Sequence, residues 1–171
     1  LYPGDKTLPP AFTDRLNRVA RSALTPADRL TEATRFVQDE IRYVGEEMGI
    51  GSYVPRRPAV VLARGYGDCK DKALLLTLAL RHLGIEATPA LASTQLGRRL
   101  PDLLPSPLEF DHVIVRAVID GQVLWLDPTG AHRGGRGPAI VPPDLGYALP
   151  IRSGDVGLER IIGFGERAGT M

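Results

Sequence analysis

The chain of 171 residues has one cysteine, Cys69. That excludes an internal disulfide and a zinc site built from several thiolates, and leaves the redox compartment open. Net charge is also scarce. Lys and Arg number 21 against 20 Asp and Glu, a balance of +1, so no electrostatic argument favours nucleic acid or an anionic membrane as partner. No apolar run approaches the ~20 residues that a membrane span needs, and no signal-peptide pattern opens the chain. Internal repeats are missing, and nothing in the composition marks a second domain. The first residue is Leu1 rather than Met, which reads as a piece of something longer.

What is present suits a globular domain. Apolar residues make up 43% and charged residues 24%, an ordinary balance, and the length fits one domain, 1–171, able to bury a core without staples. Residues 1–10 carry Pro3, Gly4, Pro9 and Pro10 and read as an extended lead-in. Helical spacing of Phe12, Leu16, Val19, Ala20 and Ala23 predicts a first helix over about 11–24. Thr25-Pro26-Ala27-Asp28 is a helix start, with Thr25 as N-cap, Pro26 in the first turn and Asp28 reaching back. Leu30, Ala33, Val37, Ile41 and Val44 form the apolar stripe of that second helix. Residues 45–57 read as a loop, and 58–63 as a short helix ending at Gly65.

Gly65-Tyr66-Gly67-Asp68-Cys69-Lys70-Asp71-Lys72 comes next, followed by Ala73-Leu74-Leu75-Leu76-Thr77-Leu78-Ala79-Leu80. A glycine, a capping Asp and a long helix-forming run predict a helix from Cys69 to about Leu83, closed by Gly84. Leucines surround most of its circumference, so it should be the buried central helix. Asp68 and Asp71 read as caps. Taken alone, the thiol in its first turn is either an inert small core residue or an activated nucleophile.

After Gly84 the period changes. Residues 85–91 read as a strand weakened by Pro89, and 95–109 as a long proline-rich loop. Asp120-Gly121 between two apolar runs, 112–119 and 122–127, predicts a hairpin with a two-residue type I′ turn. Counting from that turn, Ile119 faces Gln122, Arg116 faces Trp125 as a cation–π pair, and Ile114 faces Asp127. His112 shares the face of Ile114, so His112 and Asp127 become diagonal neighbours about 7 Å apart at the backbone. A one-residue slip would separate them. Short apolar pieces at 148–151 and 158–164 are expected as edge strands, and 130–138 is Gly- and Arg-rich.

A carboxylate that holds an imidazole is the base half of a nucleophilic triad. Cys69 is the one thiol that can complete it, at a helix N-terminus whose dipole and N–H groups favour a thiolate and a developing oxyanion. His82, late in the central helix, reads as a surface charge, and His132 as exposed in its loop. Arg56, Arg57, Arg64, Arg98 and Arg99 are expected to be solvated, with a cleft-side role in binding a carboxylate as the alternative. A Cys–His–Asp metal site would have only three ligands without metal-type spacing, so no metal is expected.

Gly67-Asp68-Cys69-Lys70-Asp71-Lys72, Leu83-Gly84-Ile85, Phe110-Asp111-His112 and Trp125-Leu126-Asp127-Pro128-Thr129 together resemble the bacterial transglutaminase-like core. That core belongs to the superfamily of transglutaminases and papain-like cysteine peptidases. The likeness runs from about Ala33 to Thr129, within a core of about 26–129, and 145–150 resembles a segment that follows it. The resemblance implies Cys69 as nucleophile, His112 as general base and Asp127 as orienting acid. It implies an upstream second oxyanion donor, for which Tyr43 and then Tyr53 are candidates. It also implies an exported or membrane-attached parent.

The expected fold is α+β, with N-terminal helices and the buried Cys69 helix packed on an antiparallel sheet. The expected activity is cofactor-free acyl transfer on a peptide or carboxamide, with hydrolysis favoured over transfer to an amine. The reading from a different class is a non-catalytic peptide- or protein-binding module that keeps the fold.

Overall fold

The computed structural model of the protein describes residues 7–23, 25–45, 54–130, 144–154 and 157–162. Helix α1 spans Pro10–Ser22 and buries Phe12 and Leu16. Helix α2 spans Pro26–Arg35 behind a capping box in which Thr25 and Asp28 satisfy each other's backbone N–H. The expected stripe then breaks. Phe36–Glu40 form a π-helical turn, and Arg42–Tyr43 leave it as a short strand, β1. Val44 therefore lies beyond the helix. The reason is that other carbonyls capture the donors: Arg42 N–H bonds Gly65 O at 2.8 Å and Val44 N–H bonds Gly67 O at 3.0 Å.

Helix α3 (Pro58–Arg64) ends on Gly65 in the left-handed conformation, and Tyr66–Gly67 form β2, parallel to β1. Helix α4 spans Cys69–His82, and its Ala73, Leu75, Leu76, Ala79 and Leu80 join the main core. The second layer is a five-stranded antiparallel sheet in the order β5-β4-β3-β6-β7, formed by β3 (Glu86–Ala92), β4 (His112–Ile119), β5 (Gln122–Leu126), β6 (Tyr147–Pro150) and β7 (Glu159–Arg160). Helix α4 packs mainly on β3 and β4. The fold is α+β, as expected, and among the described residues no helix is long and apolar enough to cross a membrane.

The strand with Pro89 is present, and one of the two edge-strand expectations needs correction. β3 carries Pro89 yet is the middle strand. Its neighbour β6 is paired only along Ala90–Ala92, and the Pro89 carbonyl, which points to that side, accepts from Ile151 N at 2.8 Å just beyond the ladder. The missing N–H therefore falls past the end of the pairing with β6 and leaves the β4 side intact. Of the two expected edge strands, β6 lies inside the sheet and β7 is at its edge. Within the long loop, Gly97–Asp102 and Pro107–Glu109 are 3₁₀ turns.

The hairpin has the counted register: Ile119 faces Gln122 and Arg116 faces Trp125. Its turn residues Asp120 and Gly121 have φ of 50° and 75°, both positive as a type I′ turn requires. The expected stacking of Arg116 on Trp125 is not what forms. Arg116 Nε donates to Glu159 at 2.7 Å, with Glu86 at 3.6 Å, while Trp125 is buried with Ile114, Ala148 and Ile161. Two carboxylates attract a guanidinium more strongly than a ring face does.

Candidate active site

The site begins with how α4 starts. Asp68 accepts from Asp71 N–H at 3.1 Å, and Asp71 accepts from Asp68 N–H at 3.3 Å. Both carboxylates are buried, so they need charge partners. Lys70 Nζ bonds Asp68. Arg56 bonds Asp71 through its backbone N–H at 2.6 Å and its guanidinium at 2.8 Å, which corrects the reading of Arg56 as solvated. Gly67 lets this turn close: a β-carbon there would stand 2.8 Å from Asp71 Cβ. The result is a fixed first turn with Cys69 at its head, half-buried.

His112 opens β4 and is buried. Its Nε2 lies 3.3 Å from Asp127 Oδ1, at the position obtained from the hairpin count. Burial disfavours the charged ring, yet hydrogen bonding to Asp127 and to Cys69 outweighs it and raises the pKa to about 9. With Nε2 on Asp127, Nδ1 is the nitrogen left to serve the thiol. Asp127 is itself anchored. Thr129 donates to Oδ1 through its backbone N–H at 2.9 Å and its hydroxyl at 2.6 Å. Burial pushes this carboxyl up, but His112 and Thr129 together hold it at about 2. The structure thus brings Cys69, His112 and Asp127 into one cluster.

Three supporting residues escaped the sequence reading. Gln38 projects from the π-helical turn and donates through Nε2 to the Asp127 carbonyl at 2.8 Å. Lys72, fully buried, donates to the carbonyls of Ile41 and Gln38 and so ties that turn to α4. Burial lowers its pKa to about 8, against the attraction of Asp127 and Asp39. Thr129 carried a usable signal, because an Asp that accepts from the N–H two residues on makes an Asx turn. Lys72 carried one only in hindsight, as a charge within a helix otherwise expected to be buried.

Tyr43 pairs with Gly67 in the parallel β1–β2 ladder, two residues before Cys69, and is 46% exposed. Tyr53 and His132 lie outside the described residues. His82 is exposed and bonded to Asn17 Oδ1 at 2.8 Å. Arg64 lies 5.5 Å from the Tyr66 ring centre, and Arg98 is 3.7 Å from Asp144 at the surface. Among the described residues, no group of three or more His, Cys, Asp or Glu is arranged to hold a metal ion.

No curated protein matches the chain. Among solved structures, a candidate protease from Parabacteroides distasonis is 14% identical, with a TM-score of 0.64 over 86% of this chain and 27% of that one. A structure described as a TGase is 18% identical, with a TM-score of 0.52 over 73% of this chain and 33% of that one. The chain therefore spans about a third or less of each of these structures. Such likenesses speak to the fold, which is the α+β papain/transglutaminase-like arrangement. In sequence, residues 13–120 match the transglutaminase-like superfamily, a stretch that takes in Cys69 and His112 and stops short of Asp127. Matched over more than half its length, the chain belongs to the transglutaminase-like superfamily.

Proposed function

We propose that this domain carries out thiol-dependent acyl transfer on peptide or carboxamide substrates. Cys69 is the nucleophile, His112 the general base and acid, and Asp127 the group that orients His112. The observation that carries the reading is His112, buried between Asp127 and Cys69 with its pKa raised to about 9. At neutral pH that ring is an imidazolium, and an ion pair of thiolate and imidazolium is the attacking form.

The sulfur adds to the carbonyl carbon, and its oxyanion is met by backbone N–H of the first turn of α4, with Tyr43 as the proposed second donor. The C–N bond then breaks, and His112 gives its proton to the departing amine, leaving a thioester on Cys69. His112, now neutral, takes a proton from the incoming water or amine as it attacks. Collapse releases the acyl product and restores the thiolate and the protonated ring. Asp127 keeps its charge throughout, since Thr129 and His112 hold its carboxyl far below neutral pH. Hydrolysis is the favoured outcome because Cys69 is half-open to solvent, so water reaches the thioester without a dedicated amine site.

The same proposal treats 1–171 as one transglutaminase-like domain and places its parent outside the cytoplasm, which fractionation of the native protein tests. The enzymatic part is tested with glutamine-containing peptides and a primary amine, read by mass spectrometry. Cleavage or side-chain deamidation is expected in wild type and absent in Cys69→Ala. Amine incorporation in place of hydrolysis would reverse the choice of acceptor. A wild-type protein that turns over no peptide and whose Cys69 reacts like a free thiol would leave a binding module as the remaining reading.

A further inference from the structure

Beside α4, the sheet carries a cavity that the reaction scheme does not use. Its volume is about 510 Å³, within the roughly 300–1,000 Å³ of ligand pockets. Its floor is a cross-strand row: Leu91 on β3, its partner Leu149 on β6, and Leu158 leading into β7. Its wall is the proline-rich loop, which presents Leu103, Leu104 and Phe110. Leu104 is 87% exposed and Leu108, next to the cavity, 84% exposed. Large apolar side chains clustered in solvent on a fixed segment mark a contact surface.

The segment is fixed at both ends. Leu100 is buried, and Gly146 sits so tightly on it that a β-carbon there would stand 2.5 Å from Arg98 N. At the far end, Asp111 accepts from Thr94 N–H and Oγ1, each at 2.7 Å. Pro101, Pro105 and Pro107 remove further backbone freedom, so little ordering cost falls on a ligand.

Position ties the cavity to the proposed chemistry. Helix α4 packs on β3 and reaches it through only residues 83–85, so helix and strand run antiparallel. Fourteen helical residues and seven strand residues have similar lengths, about 20 Å each. Cys69 thus stands at the end of β3 that carries Leu91 and Ala92, and Ala92 is the register partner of His112. Phe110, two residues before His112, lies about 7 Å from it along the chain. An extended peptide advances about 3.3 Å per residue, so a residue one to three positions from the reacting carbonyl can place its side chain in the cavity.

We infer that this cavity is a specificity subsite that takes a large apolar side chain of the peptide substrate, one to three residues from the carbonyl attacked by Cys69. The inference rests on the acyl-transfer reading given above. Charge sharpens it: the cavity lining includes one carboxylate, Glu109, and no cation, so an acidic side chain is excluded from the same position.

The test compares inactivation by a triglycyl chloromethyl ketone with its three single-leucine and three single-aspartate versions. Chloroacetamide serves as a probe of Cys69 that has no side chain to bind. One leucyl probe should inactivate at least about tenfold faster than the glycyl probe, the scale expected for burying a leucine. The aspartyl probe at that position should be no faster than glycyl. In Leu104→Asp, a change at an exposed residue that leaves the fold intact, the leucyl-to-glycyl ratio should fall to about one. Equal rates for glycyl and all leucyl probes overturn the subsite if chloroacetamide still alkylates Cys69 faster than free cysteine. If chloroacetamide finds an ordinary thiol, the acyl-transfer reading fails and the subsite with it. A change of mass on sedimentation between wild type and Leu104→Asp would assign the surface to a second copy of the chain and overturn the subsite as well.

Discussion

The two halves of α4 are built from opposite materials. From Ala73 to Leu80 the helix is Leu and Ala apart from Thr77, and most of those side chains are buried in the main core. From Asp68 to Lys72 the buried residues are Asp68, Lys70, Asp71 and Lys72, four charges that flank Cys69 and are each paired or hydrogen-bonded. Apolar burial contributes stability directly. Buried ion pairs contribute little net stability, since desolvation offsets their attraction, yet breaking one leaves an uncompensated charge. In this helix the apolar half holds the fold together and the charged half holds a thiol in place. Mutations in the two halves should therefore separate in what they damage.

The largest effect belongs to the cluster that the charged half serves. His112→Asn should lower peptide turnover by about 10³-fold or more, while thermal unfolding shows a folded protein. A variant with substantial turnover would remove His112 from the proposed chemistry. In the apolar half, Leu75→Ala should cost about 2–5 kcal/mol in urea unfolding, because Leu75 is fully buried. Its folded fraction should keep the alkylation rate of wild type. Loss of thiol reactivity with the fold intact would mean that the two halves are not separable in this way.

Lys72 lies at the border and sharpens the contrast. Lys72→Met removes a desolvation cost but leaves the Ile41 and Gln38 carbonyls without their donor. Stability should change by no more than about 1–3 kcal/mol. The value of kcat/KM should fall about tenfold, equivalent to about 1.4 kcal/mol, through a displaced Gln38 and hence Asp127, with kcat carrying most of the loss. A fall confined to stability would make Lys72 an ordinary core residue.

The smallest effect is a pH slope. His112 has a folded pKa raised from 6.5 to about 9. The folded state therefore holds more protons across that window, and the contribution is full below pH 6.5 and lost as pH rises through 9. Asp127 works the other way: its stabilisation is present above pH 3.8 and lost as pH falls toward about 2. Lys72, lowered from 10.5 to about 8, makes stability rise between those values and partly offsets the His112 loss above pH 8. Urea unfolding from pH 6 to 8 should show a decline in wild type that is missing in His112→Asn. Parallel profiles would contradict the pairing of the ring.

The sequence is most informative where local chemistry decides. The Thr25 and Asp68 caps, the Asp120-Gly121 turn and the hairpin register all follow from short-range rules, and the register alone puts His112 beside Asp127. What is not legible depends on partners distant in the chain. The π-helical turn exists because Gly65, Gly67 and Lys72 claim backbone groups that a continued helix would have used. Pro89 is tolerated in the middle strand because β6 stops pairing beside it. Arg56 is half-buried against Asp71, with α3 and β2 lying between them in the chain. The cavity is visible only once β6 is known to lie next to β3.

The central claim is that Cys69 is an activated thiol and that His112 activates it. The most direct measurement is the rate of Cys69 alkylation by iodoacetamide between about pH 6 and 7, in wild type and in His112→Asn, against free cysteine as the reference thiol. Wild-type alkylation well above the reference, and a fall toward it in the variant, are expected. Wild-type alkylation no faster than free cysteine, or a rate indifferent to the substitution, would contradict it.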